Sequence, residues 1–254
     1  MPVGPDWRHS FDTVTVTVSG TGTSAGAGVV RLTLARPARR NAVNRQLADD
    51  LADAVALAEA RGARVGVLDG EGTAFCSGAD LAELETAGRS LERVVESLTG
   101  GTIHWTAAVR GAARGGALSI LSACPRVVAT PSASFSLPEL GSGSFPAEVI
   151  GRQEELLGSR RAFELALSAE VIDAAAAREL GLVTTVVDDG ALEEWLAVAS
   201  ARLSAFDPAG LREGVALWNA YVRSVGDARM PATSTPAASL PATSTPATSQ
   251  MRTR

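Results

Sequence analysis

The sequence predicts an α/β fold, a largely parallel sheet covered by helices, because apolar stretches at strand and helix periodicity take turns along most of its 254 residues. Two further observations bound that expectation. The composition, 46% apolar and 20% charged, is that of a globular protein rather than a fibrous or membrane one. From about Met230 it changes: Pro-Ala-Thr-Ser-Thr-Pro-Ala-Ala-Ser-Leu is followed by Pro-Ala-Thr-Ser-Thr-Pro-Ala-Thr-Ser-Gln, a near-repeat with almost nothing to bury. That segment reads as a disordered tail, and two copies are too few for a solenoid.

Alternation over residues 13–18 and 29–34, across the Gly/Ser/Thr-rich run 20–28, predicts the two strands of an opening hairpin. Leu47, Leu51, Val55 and Ala58 recur at helical spacing behind Asn44, an N-cap residue, and Gly62 ends that helix before a short apolar strand at 65–68. A helix around 91–98, a strand at 106–109, a glycine-opened helix at 115–121 and a strand at 126–129 follow. Helical stretches at 162–167 and 174–180 lead to a strand at 182–187. Residues 191–225 are helical by pattern, with Asp207-Pro208 marking a fresh start. The expected division is a core over 1–190, a short C-terminal helical region over 191–228 and the Pro/Thr/Ser/Ala-rich tail over 229–254.

Charge and residue usage exclude several functions. There are 23 basic and 28 acidic residues, every basic one is Arg, and none form a dense run, so a nucleic-acid partner is not expected. The absence of Lys removes Schiff-base chemistry. No stretch approaches the ~18 apolar residues of a membrane span, and the start, with two Pro and several charges, does not read as a signal peptide. A cytoplasmic location is expected. Cys76 and Cys124 rule out a disulfide framework and read as small buried hydrophobes, and two His make a His/Cys metal site unexpected. His9 falls in an expected frayed terminus. His104, beside Trp105, reads as a surface His or a substrate contact.

Two small-residue bends carry the chemistry. In Gly72-Thr-Ala-Phe-Cys-Ser-Gly-Ala-Asp80, a strand gives way to a helix-prone stretch where Ser77, Gly78 and Ala79 leave backbone N–H groups approachable. It reads either as a tight turn or as a ligand cradle. Gly111-Ala-Ala-Arg-Gly-Gly-Ala117 repeats the arrangement, with Gly115 and Gly116 at a helix start, where an N–H favours a developing anion. Its spacing is not that of a dinucleotide fingerprint. Facing each other, two such bends would form an oxyanion hole, in which one donor is typically worth on the order of 3 kcal/mol of barrier.

At these residues the sequence resembles the crotonase superfamily, the enoyl-CoA hydratases and isomerases, from about Val29 to Val187. Four motifs in the family's order carry the likeness: Arg36-Pro-Ala-Arg-Arg-Asn-Ala42, Ala74-Phe-Cys-Ser-Gly-Ala-Asp80, Ala108-Val-Arg-Gly-Ala-Ala-Arg-Gly-Gly116, and Phe135-Ser-Leu-Pro-Glu-Leu140 with Gly143 and Pro146 after it. The resemblance implies a crotonase-like β-β-α spiral over the core, in which the Ala79 and Gly116 amides hold an acyl thioester oxygen as it becomes an enolate. It places Ser77, Gly78, Asp80 and Gly115 against the substrate and the 36–41 segment near the nucleotide end of a pantetheine ligand, where Arg39 or Arg40 would meet a phosphate or form plain surface charge. The substrate it implies is an acyl-CoA or acyl-carrier-protein thioester. CoA or phosphopantetheine enters only as part of that substrate, with no separate cofactor and no metal. A homo-oligomer, trimer or hexamer, is the family's habit.

The sequence departs from the hydratase pattern at its carboxylates. Hydratases carry one Glu three residues after the oxyanion Gly and a second in the later motif; here the first position is Ser119 and the second is Glu139. A single Glu can take a proton from one carbon of an enolate system and return it two carbons away, so the pattern is similar to the Δ3,Δ2-enoyl-CoA isomerases. Enoyl isomerisation with Glu139 as proton shuttle is therefore the expected reaction. Hydration or dehydration with a substitute second group, Glu148, is the alternative, and a polyketide-type cyclase or a non-catalytic binding member stays open. Burial would raise the Glu139 pKa toward neutrality, with Phe135, Leu137 and Phe145 as pocket walls or as core. Relatives usually end in helices that pack against neighbouring subunits, which the short C-terminal region here does not promise. A carrier-bound acyl group, as in secondary-metabolite assembly, would need no adenine site.

Overall fold

The computed structural model describes residues 7–19 and 28–228. Three strands, β1 (Trp7–Ser10), β2 (Val14–Ser19) and β3 (Val29–Leu34), form an antiparallel meander. The predicted hairpin is present, and its connecting run 20–27 lies outside the described residues. The added strand, Trp-Arg-His-Ser, has no apolar alternation and is defined by its ladder to β2, so His9 sits in a strand against Phe11 rather than in a frayed end.

Next, α1 (Arg45–Ala60) starts where expected: the Asn44 side chain accepts the Leu47 amide at 3.0 Å, an N-cap bond. From there the chain repeats one unit three times. β4 (Val65–Gly70), β5 (Ala74–Cys76) and α2 (Leu84–Thr99) are followed by β6 (His104–Val109), β7 (Ala112–Arg114) and α3 (Ala117–Ser122). The third unit is β8 (Arg126–Ala129), β9 (Ser134–Ser136) and α4 (Ala147–Leu157). The first strand of each unit joins a seven-stranded sheet ordered β1-β2-β3-β4-β6-β8-β11, and the second joins a four-stranded sheet ordered β10-β9-β7-β5. Each unit thus climbs from one sheet to the other and returns through a helix, which is a β-β-α spiral.

The chain closes with α5 (Ser159–Ser168), β10 (Ile172–Asp173), α6 (Ala174–Leu180), β11 (Thr185–Val186), α7 (Leu192–Ser204) and α8 (Pro208–Ala228). Leu192 and Leu196 of α7 cover Val67, Ala108 and Val128 on one face of the large sheet. Trp105, Phe75 and Phe135 are fully buried among Leu32, Leu47 and Leu118 in the main core. α8 packs on α2 and α4 of its own chain, where Arg152 donates to the Val222 carbonyl and Asn219 to the Gly101 carbonyl. The tail over 229–254 lies outside the described residues, and among the described residues no helix is long and apolar enough to cross a membrane.

One buried side chain ties the start of the spiral together. Asn41, fully buried and left-handed at φ 54°, accepts the Arg36 amide at 2.9 Å and aims its NH₂ at the carbonyls of Glu71, Ala74 and Phe75. Asn41→Ala would leave these buried groups unpaired, at about 1–3 kcal/mol each, and would strain the backbone besides. A stability loss of roughly 3 kcal/mol or more, read as a fall in the urea midpoint, is the expected outcome; a loss below about 1 kcal/mol would contradict it.

Candidate active site

Backbone amides must find acceptors when buried, so an amide left over at a bend points to what the bend is for. In the first bend, the Ser77 amide donates to the Arg40 carbonyl at 3.0 Å, Gly78 to the Cys76 sulfur at 3.4 Å, and Asp80 to the Val43 carbonyl at 2.8 Å. The Ala79 amide between them has no acceptor among the described residues. In the second bend, Gly115 donates to the Ser136 carbonyl at 3.0 Å and Leu118 to the Gly115 carbonyl at 2.9 Å, while the Gly116 amide has no acceptor among the described residues. Because α3 has only six residues, the donor itself matters more here than a helix dipole.

Glycine is what allows the bends to meet. Gly78 is left-handed at φ +85°, and a Cβ on it would stand 2.7 Å from the Arg114 carbonyl oxygen and 3.1 Å from the Gly116 nitrogen. Only a residue without a side chain lets this backbone lie against the other bend.

Glu139 completes the arrangement. It stands in the single turn Pro138–Ser142 that follows β9, the strand paired with β7, so the small sheet carries it to the second bend. A Cβ on Gly115, itself at φ +54°, would collide with Glu139 Oε1. The other carboxylate oxygen is buried without a hydrogen-bond partner among the described residues. Burial pushes the Glu139 pKa up from its ordinary value.

The remaining predicted residues separate. Ser119, buried in α3, follows the second bend as its numbering implied. Glu148 is exposed at the start of α4, and its carboxylate oxygens come within 3.3 and 3.4 Å of where a Gly88 Cβ would be. Leu91, one turn further along α2 from Gly88, lies against Gly116. Glu148 therefore reaches the same face of α2 that covers the second bend. The Asp80 carboxylate accepts from Arg36 at 3.0 Å and from the Ala82 amide at 3.1 Å. The Ala82 amide and the cations of Arg36 and Arg39 hold its pKa below the usual carboxylate range against the effect of burial. Phe135 and Leu137 are core, whereas Phe145 is 40% exposed and stacks on Phe163 rather than walling a closed pocket.

Arg39 and Arg40 are exposed beside Ser77, whose hydroxyl donates to the Arg39 carbonyl at 3.4 Å. Arg40 also lies close enough to Arg114 for its charge to add to burial in lowering the Arg114 pKa. Arg114, held by the Ser134 carbonyl at 2.5 Å and hydroxyl at 2.9 Å, also borders the second bend, and its place directly before Gly115 is the sequence signal for it. His104 is half-buried at the head of β6, and burial drops its pKa to about 4. The Cys76 thiol, pushed up to about 12 by burial, acts as an acceptor for the bend rather than as a nucleophile. A surface groove of about 490 Å³ opens at Arg45, Leu81, Glu83 and Thr86, beside the first bend but lined by none of the predicted site residues. Among the described residues no group of three His, Cys, Asp or Glu could hold a metal ion.

A β-β-α spiral that sets two unengaged amides beside a desolvated carboxylate defines a crotonase-fold protein. Solved structures agree. An enoyl-CoA hydratase/carnithine racemase from Magnetospirillum magneticum superimposes with a TM-score of 0.73 at 26% identity, covering 86% of this chain and 82% of that one. An enoyl-CoA hydratase from Mycobacterium smegmatis gives 0.72 at 28% identity, over 78% and 82%. The chain belongs to the enoyl-CoA hydratase/isomerase family, whose model matches residues 24–230. Among relatives, a probable enoyl-CoA hydratase of Mycobacterium bovis is 36% identical over 153 residues, 59% of this chain and 63% of the relative. The mevalonyl-coenzyme A hydratase of Aspergillus fumigatus is 33% identical over 150 residues, 55% and 56%. The matched region thus spans less than two thirds of these relatives' length.

The desolvated carboxylate has a stability signature. With its folded pKa above the ordinary value, Glu139 favours the folded state below the usual Glu range, and that contribution is lost as pH rises through the raised pKa. Glu139→Gln should therefore melt higher than the wild type at pH 7, with the gap closing toward pH 4. Melting curves across that range check it, and a less stable variant at pH 7 would contradict it.

Proposed function

We propose that this chain runs enolate chemistry on an enoyl thioester, with reversible addition of water as its leading reaction. The observation that carries the reading is the Glu139 carboxylate, one oxygen buried and unpartnered, lying against the Gly115 bend beside the two free amides. A thioester oxygen accepting from the Ala79 and Gly116 amides would be stabilised as it gains charge, since the donors are already in place and need no reorganisation. Glu139, whose pKa burial raises above its ordinary value, is placed to exchange a proton with a carbon next to that carbonyl or with a water attacking two carbons away. Arg39, Arg40 and Arg114 form a cationic edge on one side of the bends, appropriate for the phosphates of a CoA carrier.

Hydration is favoured by the relatives' names and by the placement of Glu148 on the α2 face that covers Gly116, from which it would orient the water. Double-bond migration is the second reading, favoured by Ser119 in place of a carboxylate: one base can shuttle one proton without a partner. The two differ in their atoms. Addition of water increases the product mass by one water, whereas migration leaves it unchanged.

Incubation with 2-enoyl-CoA and 3-enoyl-CoA, followed by mass spectrometry, separates them. Water addition to the 2-enoyl substrate is the expected result, with Glu148→Gln slowing it. Double-bond shift without added water selects migration. Glu139→Gln should cost at least about 100-fold in turnover in either case, and an unchanged rate would overturn the proposal. Gly115→Ala should also lower turnover by roughly 100-fold through displacement of Glu139, and should destabilise by about 1 kcal/mol from the left-handed backbone.

A further inference from the structure

We propose that Arg36 is a positioning residue of the oxyanion hole, acting through Asp80 to set the first bend; this rests on the enolate reading of the site. The bend does not stand alone. It is laced onto residues 40–43, Ser77 donating to the Arg40 carbonyl, Val43 to the Gly78 carbonyl at 2.8 Å, and Asp80 to the Val43 carbonyl. The Ala79 amide is the one left pointing away from this ladder, so its direction depends on where the ladder sits. The supporting segment contains two successive left-handed residues, Arg40 at φ 50° and Asn41 at φ 54°, a shape that ordinary side chains hold only when their surroundings over-determine it.

Arg36 supplies that determination from both sides. Its carbonyl accepts the amides of Arg39 at 2.9 Å and Asn41 at 3.0 Å, and its own amide donates to the Asn41 side chain. Its guanidinium then spans the ladder, donating through Nη1 to the Ala42 carbonyl on the supporting segment and through Nη2 to Asp80 Oδ2 in the bend. The pair is well covered, with side-chain exposures of 16% and 12%, so water screens it weakly. Asp80 is held in turn by the Ala82 amide, which fixes where the chain leaves the bend. A planar fork reaches two acceptors at fixed separation, which a lysine ammonium cannot reproduce. Sequence spacing alone hides this pair, because the two residues lie 44 positions apart.

The test uses butyryl-CoA carrying ¹³C at the thioester carbon, a saturated probe that cannot turn over. Bound to the wild type, its carbonyl resonance should move downfield as the two amides polarise it. Arg36→Met and Asp80→Asn should bind the probe with little change yet lose most of that shift, and their turnover should fall roughly 10- to 100-fold with KM nearly constant. Arg36→Lys, which keeps the charge but not the fork, should fail to restore the shift. Arg93→Gln, removing an exposed ion pair with Asp49, is the control and should behave as wild type. A full shift retained by both Arg36→Met and Asp80→Asn would overturn this inference alone. No shift in the wild type would overturn the oxyanion reading and this inference with it.

Discussion

The need of every buried backbone N–H for an acceptor is the constraint on which this molecule turns. Around Ala79 the neighbouring amides are used by Arg40, Cys76 and Val43, and around Gly116 by Ser136 and Gly115. Among the described residues the Ala79 and Gly116 amides are left without an acceptor, and the glycines of the two bends let their backbones lie close. Two sheets joined by a repeated β-β-α unit bring β5 beside β7 and β7 beside β9, so the residues that follow each strand gather at one end of the small sheet.

A cost accompanies that gathering. Glu139 is desolvated with an unpaired oxygen, Gly78 and Gly115 are left-handed, and Arg40 and Asn41 adopt the same region without being glycine. Each departs from what folding alone would favour, and all of them border the candidate site. Asn41, fully buried, and Arg36, half-buried, are the counterweights: both are multiply bonded and placed where the strained segment meets the bend. The two cysteines, by contrast, are buried thiols, and Cys76 contributes to the site only as a soft acceptor.

Elements that carry an apolar pattern over four or more residues were legible, because periodicity needs several residues to register. The helix behind Asn44, the strand at 126–129 and the helix at 174–180 stand where their patterns placed them. The strands of the small sheet were not, since β5, β7 and β9 have three residues each and β10 has two, too few for alternation to register. The added strand β1 escaped for a related reason: it is defined by pairing rather than by apolar pattern.

For the site the division runs along the same line. The sequence by itself determined which residues are small enough for a backbone to be approached, which carboxylate survives in the later motif, and which helix the second bend opens, because these are properties of residue type and local order. Only the tertiary structure decided that Gly78 rests against Gly116, that Glu139 lies on Gly115, and that Asp80 pairs with Arg36. Those are contacts between segments tens of residues apart, and no local pattern encodes the distance between them.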